Sequence, residues 1–301
     1  MLLERFIRFI EIEKGYSCYT LEAYTKDLHQ FDEFLTSEFG LSLFKSEDLE
    51  ACTPKVLRTW IGGMKDKDWS SSTLSRKLSS VKSYFRFLNQ AQITSHNPTQ
   101  GIRLKKGHKK LPSFLKETET EYLLDQISFP KNFGGYRDKC LLEILYGCGL
   151  RRSELIELRT ENVDLYGQRL RVIGKGNRER LIPFGKHVRE AIISYIAFLR
   201  AHGIENRATF FVRKNGESLY PKLVYRIVQK YLTIASDVQQ KSPHTLRHTY
   251  ATHLLNRGAD LNAIKELLGH KSLAATQVYT HNSIQKLQKV HKQAHPRSEN
   301  S

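Results

Sequence analysis

The chain of 301 residues carries 48 Lys and Arg against 31 Asp and Glu, a formal net charge of +17 and a pI near 9.7. Such a length accommodates about two domains, and 40% hydrophobic with 26% charged residues is the make-up of a folded chain, not a disordered one. No apolar run reaches the ~18 residues of a membrane span, the charged opening Met1-Leu-Leu-Glu-Arg-Phe-Ile-Arg8 does not read as an export signal, and Cys18, Cys52, Cys140 and Cys148 form no CxxC pair, so a cytoplasmic protein with reduced thiols is expected.

The first element is a helix over residues 2–14. Leu21, Tyr24, Leu28, Phe31 and Leu35 then recur at spacings of 3, 4, 3 and 4, the single apolar face of a second helix. Val56, Leu57, Trp60, Ile61 and Met64 repeat the pattern after Pro54. Leu74, Leu78, Val81, Tyr84, Phe85 and Leu88 do so after the candidate N-caps Ser70–Ser72. Four helices suffice for a small bundle, placing an N-terminal domain over residues 1–100 with its aromatic side chains in the core. Residues 97–112 lose this periodicity: Asn97-Pro98, Gly101, Gly107 and Leu111-Pro112 punctuate a Lys-rich stretch, and 101–112 reads as a basic linker.

The charge is unevenly spread. Residues 1–105 have a net charge of +2 and residues 106–301 one of +15, yet the 48 residues between Asp68 and Glu117 contain ten Lys or Arg and no carboxylate. Arg76, Lys77, Lys82 and Arg86 fall in one predicted helix, and Arg103, Lys105 and Lys106 follow it. A solvated basic face is the plain alternative. Surfaces usually mix signs, so an acid-free span this long favours contact with a polyanion, with these seven residues as candidate DNA contacts.

A second domain is predicted over 113–301. Tyr136–Tyr146, His187–Leu199 and the segment after Pro221 read as helices. Gln168–Ile173 and Glu179–Phe184 read as strands joined through Gly174-Lys-Gly-Asn-Arg178, a hairpin. Helices return near the end, broken at Gly258 and Gly269 and capped at Asp260 and Ser272. The fold class is therefore mainly α with a small β-sheet (α+β).

The densest chemical cluster is Ser242-Pro-His-Thr-Leu-Arg-His-Thr-Tyr-Ala-Thr-His253. Pro243 suits a helix's first turn, so His244 and Arg247, three residues apart, share a face. A guanidinium fork and an imidazole together suit a phosphate: one grips two oxygens, the other exchanges a proton near pH 7. Zinc on His244 and His248 is the rival reading, but Arg247 between them opposes a dication and no third ligand is in sight. Three further segments offer complementary groups. Arg151 lies in Gly149-Leu-Arg-Arg-Ser-Glu-Leu155, just past a helix that ends near Gly147. Lys175 sits at the hairpin tip, where many lysines have no role. His270 follows the helix-ending Gly269, and Tyr279 lies nine residues on, where packing is the commoner duty of a tyrosine.

Taken together, Arg151, Lys175, His244, Arg247, His270 and Tyr279, in the contexts GLRxSEL, GKGNxER, HTLRHTYATHLL and LLGH…YTH, resemble the active site of the tyrosine recombinases of the phage integrase family, most like the bacterial Xer recombinases. The resemblance covers essentially the whole chain. It implies an N-terminal core-binding, SAM-like helical domain and a C-terminal catalytic domain that clamp double-stranded DNA between them. It also implies a tyrosine nucleophile, Tyr279, that forms a 3′-phosphotyrosyl link. Arg151, Arg247 and His270 would hold the phosphate, with His244 as proton acceptor, Lys175 as donor to the leaving 5′-oxygen and Glu154 in support. No metal or other cofactor is expected. Self or a paralogous recombinase would complete a cyclic tetramer on two dif-like sites, served by a septal DNA translocase. A C-terminal exchange helix over about 282–295, with Ile284, Leu287 and Val290 at spacing three, would dock on the neighbouring protomer. Three alternatives stay open: an integrase or transposase of a mobile element, a type IB topoisomerase, and a sequence-specific DNA-binding protein without chemistry.

Overall fold

The computed structural model describes residues 2–66, 69–104, 113–174, 178–204, 207–269 and 281–297. The chain divides into two compact units, Met1–Lys110 and Leu111–Ser301.

The first unit is helical: α1 (Leu2–Ile12), α2 (Cys18–Phe39), a 3₁₀ turn (Ser46–Ala51), α3 (Pro54–Asp66) and α4 (Ser71–Gln90). Each apolar stripe read from the sequence faces the interior. Phe6, Leu28, Phe31, Trp60, Leu78, Val81, Tyr84 and Phe85 form one core, with the Phe31 and Trp60 rings 4.5 Å apart. Ser70 caps α4 by accepting the Thr73 N–H at 3.2 Å. Gly40 ends α2 in the left-handed region at φ 66°, where a side chain is unfavourable.

The predicted basic face of α4 is only partly a surface. Lys77 is buried, and its ammonium donates to Asp27 at 3.1 Å and to Gln30, beneath the Trp69 ring. Arg76 pairs with the same Asp27 but remains 44% exposed, and Lys82 donates to the Ile102 carbonyl at 2.6 Å. The expectation that Lys77 contacts DNA is therefore corrected: an ammonium in the core without a counter-charge is costly, and α2 supplies that charge. Arg86 and Arg103 are exposed; Lys105, Lys106 and the linker from residue 105 to 112 lie outside the described residues.

The second unit runs α5 (Glu117–Glu121) with a π turn (Tyr122–Gln126), α6 (Phe133–Gly147), α7 (Arg152–Glu157), β1 (Val163–Asp164), β2 (Arg169–Gly174), β3 (Arg178–Pro183), α8 (Lys186–Ala201), α9 (Pro221–Ala235), α10 (Pro243–Asn256), α11 (Leu261–Leu268) and α12 (His281–Ala294). The predicted hairpin is present, antiparallel, with Arg169 opposite Pro183 and Gly174 opposite Arg178. A two-residue edge strand, β1, extends it to three strands in the order β1-β2-β3. Buried α6, whose Leu141, Leu142, Ile144 and Leu145 are fully covered, runs through a core closed by α8, α9 and α10. No described helix is long and apolar enough to cross a membrane.

α12 packs on its own unit, against β3, α10 and α11, with Leu287 and Ala294 buried. His291 Nε2 lies 3.0 Å from the Gly147 carbonyl oxygen, and Arg297 donates to Glu143 Oε1 at 2.8 Å and to Asp125. Its polar anchors, His291 and the Arg297 just beyond it, find their acceptors within the same unit.

Candidate active site

The site is assembled where α6 ends, α7 and α10 begin, and α11 ends. Gly149 makes the break after α6 at φ 59°, and a Cβ there would lie 2.5 Å from the buried Tyr250 ring, so both backbone and space require glycine. The turn delivers Arg151 to the N-cap of α7. Glu154, at the third position of that helix, accepts the Arg151 backbone N–H at 2.7 Å, satisfying an orphan donor of the first turn. Pro243 starts α10, which carries Arg247 from the other side.

These elements converge on one carboxylate. Glu154 is 3% exposed; its Oε1 accepts from Arg151 Nη1 at 2.7 Å and from Arg180 Nη1 at 2.8 Å, and its Oε2 accepts from Arg180 Nη2 at 2.9 Å. Burial alone would raise the pKa of Glu154. The Arg180 hydrogen bonds and charge, then Arg151, outweigh it and hold the value near 2. Arg247 lies 4.0 Å from Glu154 Oε2 and donates instead to the Gly149 carbonyl and the Leu268 carbonyl, each at 2.6 Å. Burial first, then the Arg151 charge, lowers its pKa to about 10, which leaves it cationic at neutral pH.

The C-terminus of α11 ties the guanidiniums together. Its last carbonyls accept one arginine each: Leu267 from Arg180 Nε at 2.9 Å, Leu268 from Arg247, and Gly269 from Arg151 Nη2 at 3.0 Å. A helix C-terminus presents unpaired carbonyls and the negative end of its dipole, so three cations there are favourable. Gly269 caps the helix at φ 65°, and a Cβ there would press on the Arg180 guanidinium at 3.2 Å.

Three guanidiniums around one carboxylate leave an excess of positive charge, with Arg151 one-third exposed at the rim. His244 is exposed one turn before Arg247. Partial desolvation, and then the charges of Arg152, Arg247 and Arg151, lower its pKa below the ordinary imidazole value, so at pH 7 it is neutral and can accept a proton. The structure thus brings Arg151, Glu154 and Arg247 together, with His244 on the same helix as Arg247. Lys175, His270 and Tyr279 lie outside the described residues. His253, the last histidine of the cluster, is a core residue between the Tyr146 hydroxyl at 2.9 Å and the Leu115 carbonyl at 2.8 Å. Among the described residues no three His, Cys, Asp or Glu side chains converge as a metal would require.

Sequence reasoning missed Arg180. Its signal was present in the strand's alternation, which puts Arg180 on the same buried face as Ile182, and a charge on a core face demands a partner.

Residues 113–286 match the phage integrase family, and residues 3–92 match the phage integrase N-terminal SAM-like domain. The chain is 36% identical over 317 residues to the tyrosine recombinase XerC of Chlorobaculum tepidum, covering 98% of this chain and 94% of the relative. It is 36% identical over 299 residues to the tyrosine recombinase XerD of Staphylococcus epidermidis, covering 99% of both. The Tn1549 transposon integrase, solved in complex with transposon right end DNA, shares the fold with a TM-score of 0.70 at 20% identity, over 96% of this chain and 98% of that one. So does the XerH site-specific recombinase bound to a palindromic difH substrate, with a TM-score of 0.68 at 22% identity, over 95% of this chain and 82% of that one. Matched along both units and at this identity, the chain belongs to the phage integrase family and, within it, to the Xer-type tyrosine recombinases, enzymes that cut and rejoin DNA.

Proposed function

We propose that this protein recombines double-stranded DNA at a dif-like site in the cytoplasm, resolving chromosome dimers. In this reading it acts as a cyclic tetramer with itself or a paralogous recombinase on two sites, under a septal DNA translocase. The observation that carries the catalytic part is the junction at α11: Arg151 and Arg247, from distant parts of the chain, are held on consecutive carbonyls, Gly269 and Leu268, immediately before His270.

In the proposed reaction the Tyr279 oxygen attacks the scissile phosphorus while its proton passes to neutral His244. A 3′-phosphotyrosyl bond forms, the bond to the 5′-oxygen breaks, and Lys175 protonates that leaving oxygen. Arg151, Arg247 and His270 bind the non-bridging oxygens, where negative charge grows in the transition state. A 5′-hydroxyl from the partner strand then reverses the step, so the phosphodiester energy is conserved without ATP. Arg76, Lys82, Arg86, Arg103, Lys105 and Lys106 supply backbone contacts from the first unit.

The test is a labelled DNA nicked just beyond the scissile phosphate, incubated in EDTA with wild type or Tyr279→Phe and run on a denaturing protein gel. A covalent adduct from wild type alone is expected. An adduct that survives Tyr279→Phe would show that the nucleophile is another residue. Tight, specific binding by the wild type with no adduct on any dif-like site, paralogous partner included, would sink the catalytic reading.

A further inference from the structure

We propose that Arg180, in β3, is a positioning residue of this site: by occupying Glu154 it keeps Arg151 and Arg247 aimed at the phosphate. The inference rests on the recombinase reading above and adds a residue to it.

The argument is one of acceptor capacity. A carboxylate offers about four lone-pair positions, two on each oxygen. Here Oε1 accepts from Arg151 Nη1 and Arg180 Nη1, and Oε2 accepts from the Arg151 backbone N–H and Arg180 Nη2, so the capacity is filled. Arg247, with Nη1 4.0 Å from Oε2, is the nearby cation left outside, and its fork goes to Gly149 and Leu268. Without Arg180, a buried carboxylate would have two empty positions with Arg247 at hand. Charge and hydrogen bonding would both draw Arg247 inward, away from a bound phosphate.

Arg180 is itself unsuited to touch that phosphate. Its side chain is 5% exposed and each of its three nitrogens is engaged, Nε on the Leu267 carbonyl and both terminal nitrogens on Glu154. The parallel two-bond geometry is specific to a guanidinium; a lysine makes one such bond at a time. Arg180 also stands on the strand that follows the Lys175 hairpin, opposite Val172. One side chain thus joins the hairpin, α7 and the end of α11.

The experiment compares wild type, Arg180→Met, Arg180→Lys, Glu154→Gln and the Arg180→Met/Glu154→Gln double variant. Each is assayed for melting temperature, DNA affinity and the single-turnover rate of adduct formation on the nicked DNA. Arg180→Met is expected to slow that rate roughly 10- to 100-fold, as lost partners behind a reacting group commonly do, with affinity kept. The double variant is expected to be no slower than the slower single, because both changes act through one carboxylate. On a DNA whose scissile phosphate carries a methyl group in place of one non-bridging oxygen, the arginines have less charge to neutralise, and the defect is expected to shrink. A purely structural defect slows both substrates alike. Equal rates for wild type and Arg180→Met, additive penalties, or an undiminished defect on the methylated DNA each overturn the proposal. Should Arg180→Met fail to fold, Arg180→Lys decides, and a wild-type rate from it overturns the proposal too. Absence of an adduct from the wild type itself would instead remove the recombinase reading on which the role rests.

Discussion

Replacing Arg297 by Met tests how the C-terminal segment is held. The guanidinium is buried and reaches two carboxylates, Glu143 at 2.8 Å and Asp125. Asp125 is 44% exposed and can hydrate when its partner is lost, whereas Glu143 is 2% exposed and cannot. Removing one member of a buried ion pair costs about 3–5 kcal/mol. Lys139, 2.9 Å from Glu143 Oε1, remains as a second cation and places the expected loss near the lower end, about 3 kcal/mol. For a unit of this size that corresponds to a fall in Tm of roughly 6–12 °C. Urea unfolding at pH 7 measures it directly, with an unchanged m-value if the unit still unfolds as a whole. Arg297→Met/Glu143→Met, which removes the pair altogether, should recover most of the loss, since the charges it leaves unpaired, Asp125 and Lys139, are partly exposed and can hydrate. A loss below about 1 kcal/mol, or a double variant no more stable than the single, would refute the idea that this pair anchors the tail.

Acid should act in two steps. His291 is buried with its folded-state pKa lowered to about 4, so as pH falls from about 6.5 towards 4 the unfolded chain takes up a proton that the fold refuses, and on the order of 3 kcal/mol is lost. Glu154, held near 2 in the fold, adds a loss of similar size between about pH 4.5 and 2, where the unfolded chain again binds the proton first. Hydrogen exchange in 287–297 followed against pH separates the two, because only the first should loosen α12. Gly149→Ala should cost about 2–4 kcal/mol, from a positive φ and a methyl driven into the Tyr250 ring, and a melting temperature within a degree of wild type would contradict that. Lys77→Met should destabilise the first unit by about 2 kcal/mol, since Asp27 stays buried with Arg76 alone, while the folded variant binds DNA as wild type does; weakened binding at full stability would return Lys77 to the interface.

Much of the fold was legible because its signals are local. Apolar stripes at helical spacing marked α2, α3 and α4, alternation with a Gly-rich break marked the hairpin, and Gly149 and Gly269 marked turns whose positive φ values bear on the site. His244 and Arg247 stood out because their residue types fit a phosphate, and Arg151 through its place at a tight break and in a motif that only the four segments together made specific. What escaped the sequence depends on partners far along the chain. Asp27 is 50 residues from Lys77, and Glu154 is 26 from Arg180. An unaligned sequence shows a charge but not the counter-charge that folding brings to it. The polar anchors of α12 escaped for the same reason: Gly147, the acceptor of His291, is 144 residues away. β1 and α7 were too short, at 2 and 6 residues, to develop a period of their own.

The pairing of α2 with α4 also sets how binding should respond to salt. Each phosphate that a protein cation neutralises releases condensed counterions, and log K falls with log salt at about 0.9 per phosphate. Counted from sequence, the four cations of α4 would contribute a slope of about −3.6. Lys77 is buried against Asp27, whose single charge offsets one cation, whereas Arg76, still 44% exposed, Lys82 and Arg86 keep charge that a phosphate can meet. The share from this helix should therefore lie nearer about −2.7. A protein with a formal charge of +17 can then hold DNA through fewer released ions than its charge suggests, and lose less grip as the ionic strength of the cell rises.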